Sequence, residues 1–85
     1  MRAIRIDEFG GPEVLEPADI PVPDPDEGQV LVKVSRAGVN FADTHTRENS
    51  YLASQELPLV PGAEVAGTVE RAADGLEVGQ RVVSL

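Results

Sequence analysis

The chain has 85 residues, and 15 Asp and Glu against 7 Lys and Arg give it a formal charge of −8. One small domain is the most this length holds, and folding removes only about 60–65% of the surface that the unfolded chain exposes. The acidic balance repels phosphate backbones and anionic lipid, so neither nucleic acid nor membrane is an expected partner; the absence of cysteine rules out a disulfide framework and a thiolate zinc site and fits a cytoplasmic setting.

In chain order, "MRAIRIDEFG" turns acidic too early for a signal peptide, and "RAIRI" (2–6) reads as a short strand ended by Gly10-Gly11-Pro12. "EVLEPADIPVP" (13–23) reads as a second extended piece, and its prolines suit an edge strand because proline cannot donate to a ladder. The acidic "PDPDEG" is a solvated turn, since it lacks the spacing of a calcium loop. "GQVLVKVSRAGVN" is the clearest strand, with Val30, Val32 and Val34 on one buried face and Gln29, Leu31, Lys33 and Ser35 on the other.

The next stretch, "NFADTHTREN", is the one place where a short helix is expected. Asn40 with Asp43 three residues on loosely resembles a capping box, in which side-chain oxygens satisfy orphan backbone N–H groups. "PGAEVAGTVERA" (61–72) and "RVVSL" give two more strands around the turn "ADGLEVGQ". The last strand runs to the chain end, which predicts a cut domain whose valines 30, 32, 34, 65 and 69 belong to a core completed elsewhere. No apolar run approaches the roughly 20 residues needed to cross a bilayer, and no internal repeat is visible. Short strands between turns, with little helix, predict a small barrel or sandwich.

The motifs narrow the chemistry by elimination. No Gly-x-Gly-x-x-Gly opens a helix, and "GAEVAGTV" carries Thr68 where a phosphate loop needs lysine, so Gly67 reads as a bulge or a close backbone approach. No serine sits in a Gly-x-Ser-x-Gly elbow. His45, the lone histidine, has Asp43 two residues away, on a different face of a helix. By itself it reads as a surface group or a hydrogen-bonded spacer.

Four segments in order, "FGGPEVLE", "GQVLVKVSRAGVNFADTHTR", "LPLVPGAEVAGTVE" and "VGQRVVSL", together resemble the start of the zinc-free quinone oxidoreductases of the medium-chain dehydrogenase/reductase superfamily. The resemblance implies that residues 1–85 are the N-terminal portion of a mainly β catalytic domain, a GroES-like, partly open β-barrel, in a longer enzyme with an α/β Rossmann domain. It implies NADPH as cofactor, a small-molecule quinone or enone as substrate, a homodimer when full length, and no turnover by these residues alone. In the zinc-dependent relatives the positions matching Asn40 and Ala63 are a cysteine and a histidine that bind zinc; an amide and a methyl group cannot replace them, so no metal is expected and Glu64 is left without a metal partner.

The resemblance further implies that Asn40 contacts the nicotinamide ribose, that Phe41, Asp43 and His45 shape the substrate pocket, and that Tyr51 closes it. Tyr51 is also the candidate catalytic group, as a proton donor or hydrogen-bond donor to a substrate carbonyl, with a packing residue as the alternative. For Asn40 the alternative is a helix cap. The run Glu48-Asn49-Ser50 replaces the relatives' small residue and glycine before the tyrosine, a turn that asparagine's tolerance of left-handed backbone allows. The stretch "ERAADGLEVGQRV" lacks the relatives' longer glycine-containing loop and has Gln80 in place of an aspartate, a shortened hairpin expected to affect packing more than chemistry. Two other functions stay open, a stand-alone GroES-like module for binding or assembly and an enoyl reductase of polyketide or fatty-acid type.

Overall fold

The structure is a computed structural model describing residues 1–50, 55–73 and 75–85. Among these residues it is mainly β with one short α-helix, and it divides into two compact units. Among the described residues no helix is long and apolar enough to cross a membrane.

The first unit comprises Met1–Pro21 and Val39–Gly62. Strands β1 (Arg2–Arg5) and β2 (Glu16–Asp19) pair antiparallel, with Ile4 opposite Pro17. A two-stranded sheet has only edges, which is why Pro17 is tolerated in it. The following residue, Ile6, is fully buried and exchanges backbone hydrogen bonds with Leu59: its N–H donates to the Leu59 carbonyl at 2.8 Å and its carbonyl accepts the Leu59 N–H at 3.0 Å.

The extended piece expected from residue 13 begins later than the sequence indicated. Pro12–Val14 forms a 3₁₀ turn that buries Val14, and the strand starts only at Glu16. Pro12 stands at the first helical position, where its fixed φ is already suitable and its missing N–H costs nothing. The Glu13 carboxylate turns back to accept the Gly11 N–H at 3.2 Å, and the Leu15 N–H donates to the Pro12 carbonyl at 3.2 Å.

Helix α1 (Ala42–Glu48) lies in the same unit. Its C-terminal end is closed by Asn49 in left-handed conformation, φ 60° and ψ 36°. The Ser50 N–H reaches the His45 carbonyl at 2.8 Å and the Asn49 N–H the Thr46 carbonyl at 3.2 Å, which together form a Schellman motif. The left-handed turn expected of Asn49 is therefore present.

The second unit comprises Val22–Gly38 and Ala63–Leu85. Strands β3 (Leu31–Gly38), β4 (Glu64–Arg71) and β5 (Arg81–Ser84) form an antiparallel sheet in that spatial order. Val69 on β4 is its buried centre, opposite Val32. Neither sheet closes into a barrel among the described residues, as the expectation of an incomplete β fold requires.

The single buried face expected for β3 is not what forms. Register shifts between Leu31 and Val32 and between Val34 and Arg36 interrupt the alternation, and Val34 is 51% exposed. A bulge places an extra residue on one strand and re-aims the side chains beside it. Ser35 occupies the second bulge and gives its hydroxyl to the Ala66 carbonyl at 3.2 Å. Opposite Val34 stands Gly67, buried, where an added Cβ would overlap the Lys33 carbonyl oxygen. Gly67 is thus a close backbone approach beside a bulge, as its place in the strand pattern implied.

The turns entering β3 and β5 are built alike. In Asp26–Gln29 the Gln29 N–H donates to the Asp26 carbonyl at 3.0 Å, and Gln29 Oε1 accepts the Asp26 N–H at 2.9 Å. In Glu77–Gln80 the same two bonds measure 3.1 Å each. The third residues, Gly28 and Gly79, have φ of 80° and 89°, the left-handed value that such turns require at that position. Gln80 therefore caps its own turn.

Candidate functional site

The sequence-expected site residues gather on α1 and the loop before it. Asn40 is exposed, Phe41 is 79% exposed, and Val39 on the other side of Asn40 is 91% exposed. Asp43 and His45 are half-buried on the helix. Tyr51 lies outside the described residues.

The helix start differs from the expected cap. The capping position is Phe41, which has no side-chain acceptor, and Asp43 supplies the carboxylate arm of the capping box. Asp43 Oδ2 accepts the Asn40 backbone N–H at 2.9 Å, while the Asp43 N–H donates to the Asn40 carbonyl at 3.0 Å. A carboxylate in the first helical turn is also favoured by the helix dipole. The Thr44 hydroxyl and N–H both donate to the Phe41 carbonyl, at 2.6 and 3.0 Å. These bonds hold residues 40 and 41 in a defined turn and leave the Phe41 ring outside it.

His45 stands one helical turn from Phe41, and their rings meet edge to face with centroids 5.2 Å apart at 78°. Its Nδ1 lies 3.3 Å from Ser50 Oγ. Phe41 and His45 are thus brought together, as are Asn40 and Asp43, whereas Asp43 and His45 turn to different partners as the helix geometry implied. Ser50 and Arg47 were not assigned a part by sequence reading. Arg47 is anchored to the Gly10 carbonyl, 37 residues away, at 3.0 Å, so no local pattern marks it.

In the other unit, Glu64 opens β4 opposite Gly38, and its carboxylate packs where a Cβ on Gly38 would stand. Ala63 is exposed just ahead of it. Among the described residues no group of three His, Cys, Asp or Glu side chains is placed to hold a metal.

The class is given by comparison with known proteins: the chain belongs to the alcohol dehydrogenase GroES-like domain family, which it matches over residues 26–85. Within that class it is similar to quinone oxidoreductases of the medium-chain dehydrogenase/reductase superfamily. It is 51% identical to the quinone oxidoreductase of Lama guanicoe over 83 residues, which is 96% of this chain and 23% of that protein. The native structure of a mycobacterial quinone oxidoreductase superposes with a TM-score of 0.90 at 44% identity, covering 98% of this chain and 27% of that one. The Escherichia coli quinone oxidoreductase complexed with NADPH does so with a TM-score of 0.89 at 34% identity, covering 98% and 26%. The chain spans about a quarter of the length of these relatives.

Proposed function

We propose that residues 1–85 are the N-terminal portion of the GroES-like catalytic domain of an NADPH-dependent reductase that passes hydride to quinones or activated enones without zinc. The observation that carries this reading is the similarity, along 96–98% of the chain, to quinone oxidoreductases, one of them complexed with NADPH. The donor set agrees with it. Asn40 presents an uncharged amide beside the exposed side chains of Val39 and Phe41, which suits a ribose hydroxyl next to a flat ring. Neither Asn40 nor Ala63 can act as the thiolate or imidazole of a zinc site.

NADPH, when bound, supplies the hydride, and the chain's task is to hold the reacting partners together and dry. Asn40 orients the cofactor from the start of α1. Phe41 offers the acceptor an apolar surface, and His45, held against the Phe41 ring and near the Ser50 hydroxyl, forms the adjoining side of the pocket. Asp43, which accepts the Asn40 N–H, shapes the loop. Tyr51 is the candidate hydrogen-bond donor to the acceptor carbonyl in this reading. With only this portion of the pocket, residues 1–85 alone do not turn over. The whole protein is a cytoplasmic homodimer in this reading.

Replacing Asn40 tests the assignment. In the whole protein Asn40→Ala raises KM for NADPH roughly tenfold, the effect of one lost hydrogen bond. An unchanged KM with a lowered melting temperature assigns Asn40 to folding instead.

A further inference from the structure

Helix α1 has seven residues, none of them buried, and its capping residue makes no side-chain bond. A helix this short does not persist by propensity. Hydrophobic burial therefore does not fix the direction in which α1 presents Asn40 and Phe41.

The fixed end is the C-terminal one. There the Arg47 carbonyl, one of the groups a helix leaves without an internal partner, accepts the Gly10 N–H at 3.0 Å. In return Arg47 Nε–H donates to the Gly10 carbonyl at 3.0 Å. The guanidinium is completed by Glu48 Oε1, 3.1 Å from Nη2, and the Arg47 side chain is only 13% exposed. A main-chain bond and a side-chain bond running in opposite directions between the same two residues restrain both the position of the helix end and its rotation. The adjoining Schellman motif at Asn49 and Ser50 stiffens that end further. With about 1.5 Å rise per residue, α1 is a rod of roughly 10 Å, and a swing at Arg47 reaches Asn40.

We propose that Arg47 is a positioning residue for the cofactor-facing end of α1, acting through its reciprocal clasp with Gly10. The inference rests on the reading above in one respect, that Asn40 meets the cofactor. Arg47 is not assigned to cofactor phosphate, because its side chain is only 13% exposed and its Nε–H and an Nη2–H are turned to Gly10 and Glu48.

The test uses the whole protein. Arg47→Met, which removes the donors but keeps the apolar stem, raises KM for NADPH roughly tenfold, while kcat at saturating NADPH stays within about twofold. Arg47→Lys keeps a cation able to reach the Gly10 carbonyl and falls between Arg47→Met and the parent. Glu48→Gln, on the exposed side of the guanidinium, leaves KM as it was. A folded Arg47→Met or Arg47→Lys protein that loses thermal stability but keeps the parent KM overturns the proposal. Should neither variant fold, hydrogen exchange of the unaltered protein decides: Gly10 protected together with Asn49 and Ser50 supports the clasp, and free exchange at Gly10 overturns it. A parent protein that fails to oxidise NADPH with any quinone defeats the functional reading instead, and exchange at Gly10 still judges the clasp.

Discussion

Asn49 shows how much one residue's backbone preference decides near the site. At φ 60° a side chain with an ordinary Cβ costs about 1–2 kcal/mol, glycine costs nothing on this count, and asparagine lies between. Asn49→Gly is therefore expected to raise the melting temperature slightly and Asn49→Val to lower it by the equivalent of about 1 kcal/mol; equal melting temperatures would show that the Schellman turn is not needed. This feature was legible in the sequence because asparagine signals left-handed backbone by its own chemistry. The assignment of Asn40 to one side of a capping turn was half legible: the spacing to Asp43 was right, but which partner supplies the bond depends on where the helix starts, and Phe41 takes the capping place. Arg47 was not legible, because its meaning lies in Gly10, far away in the chain.

Among the elements, α1 and the strands follow from local pattern, whereas the irregularities within strands do not. Val30, Val32 and Val34 alternate without interruption, and nothing in that pattern announces that Ser35 will be an extra residue. The signal lay across the ladder, in Gly67. Its replacement by alanine sets two effects against each other. Relief of glycine's backbone entropy favours alanine by about 0.5–1 kcal/mol. Overlap of the new Cβ with the Lys33 carbonyl costs about 1–3 kcal/mol, and no rotamer change relieves it because both atoms belong to the frame of the sheet. The overlap wins, so Gly67→Ala lowers the melting temperature; a neutral or stabilising result would show that β3 and β4 separate freely at the bulge. The 3₁₀ turn at Pro12–Val14 was missed for a related reason, since a proline after two glycines reads as a breaker although proline also suits a first helical position.

Across the whole chain, charge and composition bear directly on function. With a formal charge of −8, and with Arg5, Arg47 and Arg71 paired to Asp7, Glu48 and Asp24, these residues are ill suited to hold the phosphates of a dinucleotide. Their contribution in the proposed enzyme is an uncharged one, an amide and aromatic edges at the reacting end of the cofactor. The described residues bury only Ile6, Val14 and Val69 among the large apolar side chains and leave others, such as Val83 and Leu85, open. The most direct measurement is NADPH oxidation by the whole protein with a quinone acceptor, before and after exhaustive removal of divalent metal. The account predicts turnover that chelation leaves unchanged. Turnover that disappears on chelation and returns with zinc, or none with any quinone or enone, would contradict it.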